Sequence, residues 1–392
     1  MLIDFNKNKN YIILLFKYFM ILLFLHYNIN IIFKINNFLL YIKRQYEIKK
    51  IVNYLKFCND IKILKKFKKK NNPKISLISP IYNRDRFILR FLISIQYQSF
   101  DDIEIIFVDD CSLDKSIEKI EKYQKEDKRI ILIKNKKNKG IFITRNIGAL
   151  YSKGKYLIIP DPDDIMSENI LTICYNYAEK YKYEMIRFNI YGGNNKLFFN
   201  DILNELENKK LYQPELSTYI FYLNNELRIK DYYIYNKFIQ KNIYIKALTF
   251  INNIHLKIYM NMNEDQLINY ILHRIVKSFY YLNKIGYHYI TNKLSITKTS
   301  FEIDKRKLKY IFIYLKIIFE YSKNIKYEKD MTYYLLNKLY YYFKFVRNLS
   351  TLNQKEFNFY YNIILKMLNC TFITNENKFI LNKYKDIIKK NA

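Results

Sequence analysis

Three carboxylates crowd the end of one short apolar run, and that crowding limits what this chain can fold into. Tyr156 to Ile159 is followed by Pro160, Asp161, Pro162, Asp163 and Asp164, and then by Ile165, Met166 and Ser167. Acids this close repel one another, each disfavouring the ionisation of the next. A hard divalent cation removes the conflict, because Mg²⁺ takes oxygen ligands and is held by one or two carboxylates together with the phosphates of a substrate. The same residues also suit an acidic turn that caps a helix beginning near Ser167, since Asp and Ser favour such positions. On this stretch alone both readings stand.

Acids are scarce here, which makes their clustering informative. The chain carries 36 Asp and Glu against 67 Lys and Arg, a net charge of +31. So basic a chain would ordinarily seek phosphate, on nucleic acid or on an anionic membrane surface. The lysines are scattered, however, and no nucleic-acid-binding signature accompanies them, so no nucleic-acid partner is expected. Codon bias in an AT-rich genome explains the excess, and we read it as solvated surface. Cys58, Cys111, Cys174 and Cys370 lie far apart with no C-x-x-C pair, which indicates neither a zinc site nor a disulfide framework. His255, His273 and His288 share no metal-ligand spacing. Four of the five prolines (Pro73, Pro80, Pro160, Pro162) and three of the six glycines (Gly140, Gly148, Gly154) fall between residues 73 and 162, where the backbone needs their special geometry.

Three regions follow from the pattern. Residues 1–72 hold an apolar segment, Tyr11 to Phe33, and then a lysine-rich tether. About 20 apolar residues span a bilayer; Lys17 interrupts this segment, so it suits either a single-pass anchor or a helix packed on the following domain. An anchor would make the protein membrane-associated, as a single-pass protein of the ER or Golgi. Residues 73–300 alternate apolar runs with helical periodicity: 75–80, 103–110, 129–134, 156–160 and 184–191 read as strands, and 84–100, 114–125, 141–151 and 168–181 as helices. Such alternation predicts βαβ units in an α/β fold, a Rossmann-like and mostly parallel central sheet with helices on both faces. Ligands of such sheets bind beyond the carboxyl ends of the strands. That edge would collect Pro80, Tyr82 and Asn83, then Asp109 and Asp110, then the three later acids. Residues 301–392 alternate apolar and basic residues at helical spacing and predict a helical C-terminal region.

In order, these residues resemble the inverting family 2 glycosyltransferases of the GT-A fold. The family's P-x-Y-N is matched by Pro80 to Asn83, and its E-I-I-x-V-D-D-x-S-x-D by Glu104 to Asp114. Asn138, Gly140, Thr144, Arg145, Asn146 and Gly148 match its N-x-G and R-N-x-G, and Asp161 to Asp164 its D-x-D-D. Cys111 stands where Gly is frequent, and Asn263 where Gly or Thr is usual. The resemblance implies a nucleotide-sugar donor, a UDP-sugar before others, bound by Pro80, Tyr82, Asn83, Asp109, Asp110, Asn138, Gly140, Arg145 and Asp161. It implies Mg²⁺ or Mn²⁺ on Asp163, with Asp161 as a second ligand or a ribose contact. It implies that Asp265, beside Glu264, is the general base acting on a glycan, lipid or protein hydroxyl. Two alternatives stay open: Arg145 as a structural ion pair inside the carboxylate cluster, and Glu264 and Asp265 as acids placed on a helix N-terminus. Without Trp, the Q-x-x-R-W signature of processive polysaccharide synthases is absent. A catalytically inactive family member serving as a membrane-associated scaffold is the competing function.

Overall fold

A computed structural model describes residues 71–192, 196–197, 210–212, 222–223, 226–227, 233–255, 260–261 and 264–290, with a few isolated positions outside them. The apolar segment Tyr11 to Phe33 and the expected helical region after residue 300 lie outside the described residues. Among the described residues no helix is long and apolar enough to cross a membrane.

The alternation read from the sequence becomes β1 (Ile75–Ile81), α1 (Ile88–Gln96), β2 (Ile103–Asp109), α2 (Ser116–Glu126), β3 (Ile130–Lys134), α3 (Ile141–Tyr151) and β4 (Tyr156–Ile158). β5 (Ile165–Met166), α4 (Ile170–Tyr181), β6 (Met185–Gly192), β7 (Lys196–Leu197) and β8 (Lys210–Tyr212) come next. The short pair β9 (Tyr222–Leu223) and β10 (Glu226–Leu227) precedes β11 (Lys237–Gln240), α5 (Lys241–His255), α6 (Glu264–Ile275) and β12 (Ser278–His288). The main sheet runs β3-β2-β1-β4-β11-β6-β12-β5, with β7 beside β6 and β8 beside β12. Every residue of β1 and β2 is buried, as a strand covered on both faces requires.

The sheet is mixed, and this corrects the expectation of a mostly parallel one. β3, β2, β1 and β4 are parallel neighbours. β11 then enters antiparallel between β4 and β6, while β12 runs parallel to β6 and antiparallel to β5 and β8. The first helix is also shorter than the predicted 84–100. The Arg84 and Asp85 amides are taken by Ser116 Oγ and Asp114 Oδ2, and the Gln98 side chain and Ser99 amide are drawn to the Ser167 and Glu168 carbonyls, so both ends leave the helix.

Glu104 ties the parallel strands together at the end away from the acids. One of its oxygens accepts from Ser76 Oγ and from the Lys153 and Gly154 amides, all within 3.2 Å. A Cβ on Gly154 would lie 2.5 Å from the Ser76 backbone nitrogen, where nothing flexible can yield. Gly154→Ala is therefore expected to destabilise the domain by about 1–3 kcal/mol, read as a lower urea midpoint; an unchanged midpoint would show that the approach can relax.

Candidate active site

Because β1, β2 and β4 are parallel neighbours, the loops after them open on one edge, and the acids gather there. Asp109 ends β2 in register with Ile81 of β1, and the Asp110 amide donates to the Ile81 carbonyl at 2.8 Å. Asp161 to Asp164 follow β4 on the other side of β1.

On the β2 side the loops are stitched by side chains. Asn83 (φ 52°) donates its amide to Ser112 Oγ and accepts from the Leu113 amide at 2.8 Å, while Asp109 Oδ1 accepts from the Ser112 amide at 3.0 Å. Cys111 has φ 67°, which explains why glycine suits its position. Asp110 is buried and its carboxylate is well supplied: the Lys139 and Gly140 amides donate at 2.7 and 2.8 Å and the Asn135 side chain at 2.9 Å. Asn138 donates to the Asp110 carbonyl. Asp110, Asn138 and Gly140 thus form the frame of the loop that leads into α3. Pro80 is buried within β1, in register with Val108, whereas Tyr82 stands 45% exposed at the rim.

Arg145, on α3 and 4% exposed, joins acids from distant parts of the chain. Nη2 donates to Asp161 Oδ1 at 2.6 Å; Nη1 donates to Glu264 Oε1 at 2.9 Å and to Asp265. Glu264 and Asp265 open α6, where the helix dipole favours carboxylates, and they also share Arg145 with Asp161. Burial opposes the charge of Arg145, but Asp265, Asp161 and Glu264 more than offset it and hold the guanidinium protonated. Burial raises the pKa of Glu264, with Asp265 adding repulsion and Arg145 offsetting it. Asp265 is raised as well, by burial first; Arg145 and Lys237 counter this and Asp161 adds to it.

The D-x-D-D acids divide by environment. Asp164 is fixed, accepting from the Tyr287 hydroxyl at 2.6 Å and the Ile290 amide at 2.7 Å. Asp163 faces Arg84 Nε at 3.8 Å, and its carbonyl accepts from Arg90. Its pKa is raised by burial and then by repulsion from Asp161, with Arg84 offsetting part. Among the described residues no group of three or more His, Cys, Asp or Glu could by itself hold a metal ion. The donor set that fits is a pair, Asp163 with Asp161, which suits a hard cation completed by substrate phosphate rather than by a protein cage. Asp163 is the freer of the two, since Asp161 already serves Arg145.

The sequence did not reveal Arg84 or Arg90 as parts of this site. Arg84 directly follows the Pro80 to Asn83 match, and that adjacency was the available signal.

The site is thus an edge of an α/β domain where acids collect beyond parallel strand ends and are joined to the start of a later helix. Residues 76–246 match the model of Glycosyl transferase family 2. It is 31% identical over 118 residues to glycosyltransferase GlyG of Streptococcus pneumoniae, covering 30% of this chain and 39% of that protein. It is 39% identical over 101 residues to an uncharacterised glycosyltransferase of Haemophilus influenzae, covering 26% and 40%. The chain thus spans about two fifths of the length of these relatives. S. aureus TarS residues 1–349, solved with UDP, superposes at a TM-score of 0.58 and 18% identity over 81% of this chain and 88% of that one. The same protein has been solved with UDP-GlcNAc.

Proposed function

We propose that this protein transfers a sugar from a nucleotide-sugar donor to an acceptor hydroxyl, inverting the anomeric configuration in one displacement. The observation that carries this is Arg145, which binds donor-side Asp161 and acceptor-side Glu264 and Asp265 with one guanidinium. Asp265 takes the proton of the acceptor hydroxyl. The oxygen forms its bond to the anomeric carbon as the bond to the diphosphate oxygen breaks, and the nucleoside diphosphate leaves with the electron pair. Glu264 and Arg145 hold the base in position. Tyr82 and Asn83, with Asp109, border the nucleoside, and Asp163 with Asp161 would hold Mg²⁺ or Mn²⁺. Such an ion supplies Lewis-acid stabilisation of the charge that builds on the diphosphate. The TarS complexes support a UDP-sugar as the first donor to try.

The test is transfer from a panel of UDP- and GDP-sugars in Mn²⁺, with the anomeric configuration of the product read by NMR. Inverted product supports the proposal; retained configuration, or a folded protein that turns over no donor, contradicts it. A pH profile adds a second check. Asp265 must be ionised to accept a proton, and its pKa is raised, so kcat/KM should fall on acidification at a pH above the ~4 of a free Asp side chain. An acidic limb at or below that value would argue against Asp265 as the base.

A further inference from the structure

A column of tyrosine rings joins the two halves of the site, and the mechanism above does not use it. Tyr233 stacks on Tyr235 with ring centroids 4.9 Å apart at 26°, and Tyr235 stacks on Tyr287 at 4.6 Å and 19°. Tyr287 is fully buried on β12. Its hydroxyl accepts from the Asp161 amide at 3.0 Å and donates to Asp164 at 2.6 Å, so one phenol holds the first and last acids of the donor loop. The other end of the column is the turn before β11. There the Ile234 backbone lies beside the Asp265 carboxylate and favours its charged form, and the Lys237 amide donates back to the Ile234 carbonyl at 3.2 Å. Lys237 Nζ closes the turn on the Tyr233 carbonyl and the Asn236 side chain. Tyr235 lies between the two anchor points and feels the charges of Asp161, Asp164 and Asp265.

We propose that the Tyr233, Tyr235 and Tyr287 column is a positioning device that fixes the separation between Asp265 and the Asp161 to Asp164 loop. The inference rests on the transfer reaction proposed above. Tyr287 acts through Asp161 and Asp164, and Tyr235 acts through Ile234 on Asp265. The two ends should therefore fail differently. Tyr287→Phe keeps the ring in the stack and removes the hydroxyl, so donor KM and the Kd for UDP with Mn²⁺ should rise about tenfold while kcat falls much less. Tyr235→Leu breaks the stack, so kcat should fall about tenfold with donor KM within about twofold of wild type. Tyr235→Phe, which keeps the ring, should restore kcat.

Unchanged kinetics in Tyr287→Phe and Tyr235→Leu would overturn the proposal. So would parallel loss of kcat, KM and Tm in both, which is what a merely structural role produces, or a Tyr235→Phe protein as damaged as Tyr235→Leu. Asp265→Asn measured alongside separates the two levels. An inactive Asp265→Asn protein with normal tyrosine variants sinks only the column. Wild-type turnover in Asp265→Asn sinks the transfer reaction and the column with it.

Discussion

Asp265→Asn should lose transfer by roughly 10²- to 10⁴-fold, the usual contribution of a positioned general base. The amide fills the space of the carboxylate but cannot accept the acceptor's proton. The structure is expected to survive, because Arg145 keeps Asp161 and Glu264 as partners, and removing one of two neighbouring raised acids relieves repulsion on Glu264. The loss should lie in kcat, with UDP binding within about threefold of wild type. Equal loss of kcat and of UDP affinity would instead mark Asp265 as part of the binding frame.

Asp163→Ala should give the next largest effect, on binding rather than on fold. UDP affinity in Mn²⁺ is expected to fall by at least about 10- to 100-fold, since disturbing even the outer partners of a metal ligand costs that much. The metal-free protein should behave in the opposite way. Burial holds Asp164 well above the usual carboxylate range and repulsion from Asp163 adds to it, so removing Asp163 should leave the apo protein as stable as before or more so. Stabilisation by Mn²⁺ and UDP should be lost in the same variant. Thermal denaturation with and without both ligands reads the two effects together, and a variant still stabilised as much as wild type would remove Asp163 from the metal site.

The parallel half of the sheet was legible because each strand is a continuous apolar run bounded by Pro, Asp or Asn. β1 and β2 are buried throughout, so they carry mostly aliphatic and aromatic residues, with the buried Ser76 and Glu104 hydrogen-bonded to each other. β11 was not legible as a sheet member. It is four residues long, and its partners β4 and β6 lie far back in the chain, so no local period announces where it inserts. The acids themselves could be read, but their division of labour could not. Asp110, Asp161, Asp163 and Asp164 look alike as letters. They differ because backbone amides surround Asp110, Arg145 takes Asp161, and a tyrosine more than 100 residues away takes Asp164. Arg145 was identified as either a donor contact or an ion pair, and the deciding geometry depends on how α3 packs against the start of α6. The Met260 carbonyl and Asn261 side chain, which receive the Phe142 and Ile141 amides, set that packing.

A crystal grown with UDP and Mn²⁺, with data collected for the anomalous signal of manganese, bears most directly on whether this rim grips a diphosphate through a cation. The expected result is one strong peak beside Asp163, with the pyrophosphate next to it and the uracil lying between Tyr82 and Asp109. Ordered nucleotide on another surface, or manganese bound away from Asp163 while UDP occupies the rim, would contradict it.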